Sequence, residues 1–155
     1  MSLRENLTKE AAQALRPREP LTASSDVTVG DAIKMMRERS RGCLIVTEGR
    51  RPIGILTERD ILTKVLAKDV PLATPVVDVM TGEPSSIREG DTVGRVIHAM
   101  NDGGFRNMPV VDGSGYLKGI VSIKRIVEYL VEHFPAAVFN LPPQPHQGQA
   151  TREGA

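Results

Sequence analysis

Thr57 and Asp60 stand three residues apart, behind Gly54-Ile-Leu and ahead of the apolar pair Ile61 and Leu62. A hydroxyl and a carboxylate at that spacing form a capping box. The hydroxyl accepts from the backbone N–H three residues on, the acid reaches back to the N–H at the cap, and a helix begins. The chain restates the pattern with one reversal of charge: in Gly119-Ile-Val-Ser122-Ile-Lys-Arg125 a guanidinium replaces the acid. Other reactive groups offer less. His98 falls on the polar side of a helix, His133 ends one where a cation suits the dipole, and His146 lies near the carboxyl terminus, so no ligand spacing joins them. Cys43 is the single cysteine, which excludes an internal disulfide and a multi-cysteine metal site; among apolar neighbours it reads as a small core side chain. There is no activated Ser or Cys arrangement and no P-loop, and Gly103-Gly104 reads as a turn. Neither catalysis nor a metal centre is expected of this chain.

What positions these residues is an internal repeat. Val29, Ala32, Ile33 and Met36 hold the i, i+3, i+4, i+7 spacing of a helix face, and Val93, Val96, Ile97 and Met100 restate it 64 positions later. A threonine precedes each run, Gly30 recurs as Gly94, and Met35, Met36 and Met100 read as helix packing. Cys43–Val46 and Ile53–Leu56 are short β-type runs, echoed by Met108–Val111 and Leu117–Val121 at an offset of 65, which puts a one-residue insertion in the turn before them. The polar stretches Thr47–Pro52 and Asp112–Gly115 suit hairpins. Ile61, Leu62, Val65 and Leu66, then Ile126, Val127, Leu130 and Val131, close each unit with a helix.

The fold class expected is therefore α/β (α+β): two tandem βαββα units, each opening on a short strand near Leu21 or Ser85, packed with pseudo-twofold symmetry around one shared core. Each unit alone is small enough to be marginal. The expected divisions are a helical extension over 1–20, repeats over 21–70 and 83–134, a connector over 71–82 with a helical turn near Val77–Met80, and a mobile Pro-, Gln- and Gly-rich tail over 135–155.

Gly54-Ile-Leu-Thr57-Glu-Arg-Asp60 and Gly119-Ile-Val-Ser122-Ile-Lys-Arg125, with Met108-Pro-Val-Val-Asp112 before the second and Asp78-Val-Met-Thr81 before its repeat, resemble a tandem pair of CBS domains, the Bateman module. The resemblance covers about Leu21 to Phe134. It implies a regulatory module whose cleft takes AMP, ADP, ATP or S-adenosylmethionine, with Thr57 and Asp60 on the ribose and Gly54 leaving room for close approach of the ligand. It further implies that Ser85, Ser86, Ile87, Met108 and Pro109 flank the base, and that Arg41, Arg106 and Lys124 bring cations to phosphates. Arg125 departs from the pattern, so one good site is expected rather than two: the guanidinium fills or repels at that position, or reaches toward phosphate in another ligand pose. Capping remains the alternative role for Thr57 and Asp60, and solvated surface charge the alternative for the cations. The family resemblance also implies a homodimer, together with a partner protein that responds to ligand. A ligand-free dimerisation or docking module is the competing reading.

Composition narrows the partners. Lys and Arg total 20 against 19 Asp and Glu, a net charge of +1, which disfavours a generic nucleic-acid or anionic-membrane binder. No apolar run suits a signal peptide or a membrane span, so the expected location is cytoplasmic. Hydrophobic residues make up 40% but aromatic ones only 3%, so the core should be aliphatic and adenine should rest on aliphatic and backbone groups rather than on rings.

Overall fold

Hydroxyl caps start the four principal helices. In the computed structural model, which describes residues 3–136, Thr28 opens α2 (Val29–Arg39), Thr57 opens α3 (Glu58–Asp60), Thr92 opens α4 (Val93–Gly103) and Ser122 opens α5 (Ile123–His133). Each hydroxyl accepts from the N–H three residues on. In the first repeat Asp31 and Asp60 complete the capping box; in the second, Arg95 and Arg125 stand in the acids' places and the box is half made. Beyond Asp60 the helix continues as a π-helical segment, Ile61–Leu66, whereas α5 stays α-helical throughout.

The strands form two sheets. β1 (Thr22–Ser24) pairs parallel with β2 (Cys43–Glu48), which pairs antiparallel with β3 (Arg51–Thr57), which pairs antiparallel with the short β4 (Thr81–Gly82). β5 (Ile87–Arg88) pairs parallel with β6 (Asn107–Val111), and β6 antiparallel with β7 (Leu117–Ser122). Register relocates the expected insertion. Cys43 faces Thr57 just as Asn107 faces Ser122, so the offset is still 64 through the first long strand of each repeat and becomes 65 only across the hairpin. A one-residue slip exchanges the faces of a strand. Leu44 and Val46 thus correspond to Met108 and Val110, and all four are buried.

Each repeat is strapped by the segment that precedes the other in the chain. The connector lays Thr74 and Leu72 carbonyls on the N–H groups of Val29 and Gly30, turns through the 3-10 helix Val76–Asp78, and adds β4 to β3. The amino-terminal segment does the same for the second repeat. After α1 (Leu3–Lys9), the Glu10 carbonyl accepts from Val93, a 3-10 turn spans Ala12–Leu15, and Arg18 bridges Ile120. The helical extension expected over 1–20 is interrupted at Glu10, because its carbonyl is taken by Val93 and the Ala12 N–H by Asp91.

Consequently the interior is divided. Leu44, Val46, Leu56, Val29, Met36 and Val65 form one aliphatic core with Val76 and Val79 of the connector. Met108, Val110, Val121, Val93, Met100 and Tyr129 form another with Ala12 and Leu15 of the amino-terminal strap. A small cluster of Cys43, Ile45, Ile55 and Ile120 joins the sheets. The single shared core expected from the sequence is replaced by two, because each strap covers a face that the other sheet would otherwise have to bury. Residues 137–155, the greater part of the expected tail, lie outside the described residues.

Candidate functional site

At the end of β3 the chain turns into α3, and the turn is fixed by the capping box. Asp60 Oδ2 accepts from the Thr57 N–H and from Thr57 Oγ1, both at 3.0 Å, while Thr57 Oγ1 accepts from the Asp60 N–H at 3.1 Å. Asp60 is the one polar or charged residue among the described residues classed as buried, at 8% exposure. Its second oxygen, Oδ1, meets Lys64 Nζ at 3.2 Å, and Lys64 also donates to Thr81 Oγ1 of β4 at 3.1 Å. Capping therefore occupies one carboxylate oxygen and leaves the other with a single partner, so lone pairs remain for a further donor.

This turn forms one wall of a cavity of about 800 Å³. The first repeat contributes Ile55, Thr57, Glu58, Arg59 and Asp60; the segment around β4 contributes Thr81, Glu83, Pro84 and Ser85. The α4–β6 turn and the start of β6 supply the facing wall through Gly103, Gly104, Phe105, Arg106, Asn107 and Pro109. Thr57, Asp60, Ser85, Arg106 and Pro109, all singled out from sequence, thus meet in one space. That volume suits a small molecule of drug or nucleotide size, for which clefts of roughly 300–1,000 Å³ are usual.

The other residues named from sequence stand elsewhere. Met108 and Ile87 are buried in the second core, at 0% and 2% exposure, because their faces of β6 and β5 point inward. Gly54 is buried against the connector, and a Cβ there would strike the Met80 side chain, so the close approach it permits is that of Met80. Gly119, its counterpart, gives way in the same manner to Pro17. Ser86 is exposed and is not among the residues lining the cavity. Arg41 and Lys124 do not line the cavity; their counterparts in the other repeat do. Ser40 and Gly104 end their helices in the left-handed region, and the next N–H, of Arg41 or Phe105, returns to the carbonyl of Met36 or Met100, so Arg41 is the counterpart of Phe105. Lys124 likewise corresponds to Arg59, two residues beyond its cap.

The guanidinium groups of Arg41 and Arg125 are tied down. The Arg41 guanidinium donates to the Glu19 carbonyl, and burial, then the charge of Arg18, lowers its pKa. Arg125 Nε donates to the Leu15 carbonyl at 2.7 Å, Nη1 to Glu128 at 2.9 Å and to Glu132 at 3.3 Å, and Nη2 to Glu132 at 3.4 Å. Hydrogen bonds donated to Glu132 and then to Glu128 raise the Arg125 pKa, and the same guanidinium holds Glu132 below the usual carboxylate range. The Arg125 side chain is thus bonded to the amino-terminal strap and to its own helix.

Sequence reasoning missed Lys64, Glu58, Asn107 and Phe105. The i, i+4 spacing from Asp60 could have identified Lys64. Asn107 needed the strand register, and Phe105 was passed over with the turn that carries it. Cys43, the counterpart of Asn107, is buried between the sheets, and desolvation pushes its thiol from 9.0 up to about 11. Among the described residues no helix is long and apolar enough to cross a membrane.

A family model described as CBS domain matches residues 13–67 and 76–132. An uncharacterised 17.7 kDa protein of Acidianus ambivalens is 34% identical over 108 residues, which is 69% of this chain. The chain spans 65% of the length of that relative and 26% of the CBS domain-containing protein CBSCBSPB3 of Arabidopsis thaliana, to which it is 33% identical. Among solved structures, a protein with CBS domains from Burkholderia ambifaria superposes with a TM-score of 0.72 at 32% identity, covering 79% of this chain and 94% of that one. The CBS domain pair of protein MJ0100, in complex with 5′-methylthioadenosine and S-adenosyl-L-methionine, gives 0.65 at 26% identity over 72% of this chain and 91% of that one.

Proposed function

The chain belongs to the CBS domain family, and we propose that it is a regulatory unit whose cavity between the repeats binds one adenosine-containing ligand, AMP, ADP, ATP or S-adenosylmethionine. The observation that carries this reading is a buried carboxylate, Asp60, that lines a nucleotide-sized cavity and has Lys64 as the one partner of its Oδ1. In the proposed mode Asp60 Oδ1 accepts from ribose hydroxyls, Thr57 holds the turn that aims it, and Ser85 and Pro109 flank the nucleoside. Arg59 and Arg106 supply cations to a phosphate or carboxylate group. The adenosine compounds bound by the MJ0100 domain pair support the ligand class.

Occupancy regulates only if ligand binds two packing states of the protein unequally. The strap architecture supplies a route for such a difference, since β4 and Thr81 lie at the cavity and continue into the connector. The effector is a partner protein, and the module is a homodimer. Leu62 and Leu66 on the first repeat, with Ile123 and Val127 on α5, at 51–61% exposure, support an apolar face for a second copy. Titration calorimetry of nucleotide-free protein with AMP, ATP and S-adenosylmethionine tests the reading. Saturable binding of at least one supports it; absence of binding by all three at millimolar concentration leaves a ligand-free docking module.

A further inference from the structure

Among the described residues Phe105 is the single aromatic one lining the cavity, and it is 39% exposed. The ring rests on Gly103, and the side chain remains partly open to solvent at the cavity wall. The backbone is arranged to admit it: a Cβ on Gly103 would run into the Phe105 ring, and Gly104 ends α4 at φ 67°. The fold itself does not require this arrangement. At the counterpart positions of the other cleft stand Arg39, Ser40 and Arg41, and the left-handed turn forms there with Ser40 at φ 52°.

We propose that Phe105 is the base platform of the cleft, stacking on the purine of the ligand while the ribose is held across the cavity by Asp60. This rests on the adenosine-binding reading and adds to it a residue that determines specificity: an aromatic face rewards a planar base whatever sugar or phosphate it carries. It also reverses the expectation, drawn from the low aromatic content, that adenine would rest on aliphatic groups alone. One ring in the right place is enough.

Three variants of the full chain and three probes test it. AMP and 5′-methylthioadenosine carry the base, and ribose 5-phosphate lacks it. Phe105→Leu keeps apolar bulk without the π-face and should weaken AMP and 5′-methylthioadenosine about tenfold, within the range for loss of one base–aromatic stack, and should leave ribose 5-phosphate unchanged. Phe105→Tyr should bind like the wild type. Phe105→Trp introduces the only tryptophan in a chain that has none, and its fluorescence should be quenched by AMP with the same midpoint as calorimetry. Wild-type affinity in Phe105→Leu, or a tryptophan signal indifferent to bound AMP, overturns the stacking role and leaves the adenosine-binding reading standing. Failure of the wild type to bind either adenosine probe overturns both.

Discussion

Asp60 and Arg125 occupy the same place in the two repeats, three residues beyond a hydroxyl cap, and do opposite things. Asp60 uses one oxygen to close its helix, pairs the other with Lys64, and lines the cavity. Arg125 commits Nε, Nη1 and Nη2 to Leu15, Glu128 and Glu132, tying the amino-terminal strap to α5. The facing walls diverge likewise: Phe105 and Asn107 line the first cleft, whereas their counterparts Arg41 and Cys43 are a tethered guanidinium and a buried thiol. The same backbone turn thus carries a carboxylate at a cavity in one repeat and a tethered guanidinium in the other.

Substitutions at equivalent positions should separate the two roles. The largest effect is expected from Asp60→Asn, which keeps an acceptor for the cap but removes the charge. Affinity for an adenosine ligand should fall roughly a hundredfold, the scale of losing charge-assisted hydrogen bonds, with little change in Tm; equal affinity in the variant would remove Asp60 from the site. Arg125→Ala should do the reverse. Losing charged hydrogen bonds on a side chain only 16% exposed should cost about 2 kcal/mol, measured by urea unfolding, with ligand affinity unchanged. Arg16, bonded to the same Glu132 but 68% exposed, should cost less than about 0.5 kcal/mol as Arg16→Ala, because water screens an exposed pair.

A smaller difference separates Cys43 from Asn107. The folded thiol titrates near 11 and the unfolded one near 9, so the unfolded chain loses its proton first as pH rises. The stability contributed by keeping this thiol neutral is complete below about pH 9 and falls as pH climbs through about 11. Unfolding free energies measured across that window should decline more steeply for the wild type than for Cys43→Ala. Parallel slopes would mean that the thiol is not shielded from water.

Much of this was legible in the residues. Helix faces, hairpins and caps follow from periodicity and from Thr28, Thr57, Thr92 and Ser122, all local signals. The pairing of Thr57 with Asp60 and the break of pattern at Arg125 were equally plain. What escaped depends on contacts distant in sequence. That Leu15 and Ala12 cover the second core, 100 or so residues away, is written in no local pattern; about 15 residues form a strap only because a sheet face awaits them. Arg41 and Arg106 looked interchangeable until the strand register, fixed by Cys43 facing Thr57 and Asn107 facing Ser122, showed Arg41 to be the counterpart of Phe105. Gly54 read as room for a ligand because the approach of Met80 is invisible in one dimension.

The central claim is that the two clefts are unequal, and binding stoichiometry tests it most directly. Calorimetric titration of nucleotide-free protein with the tightest of AMP, ATP and S-adenosylmethionine should give one ligand per chain, and Asp60→Asn should weaken that single event while Arg125→Ala leaves it intact. Two ligands per chain in the wild type, or one ligand whose affinity depends on Arg125 and not on Asp60, would contradict the account.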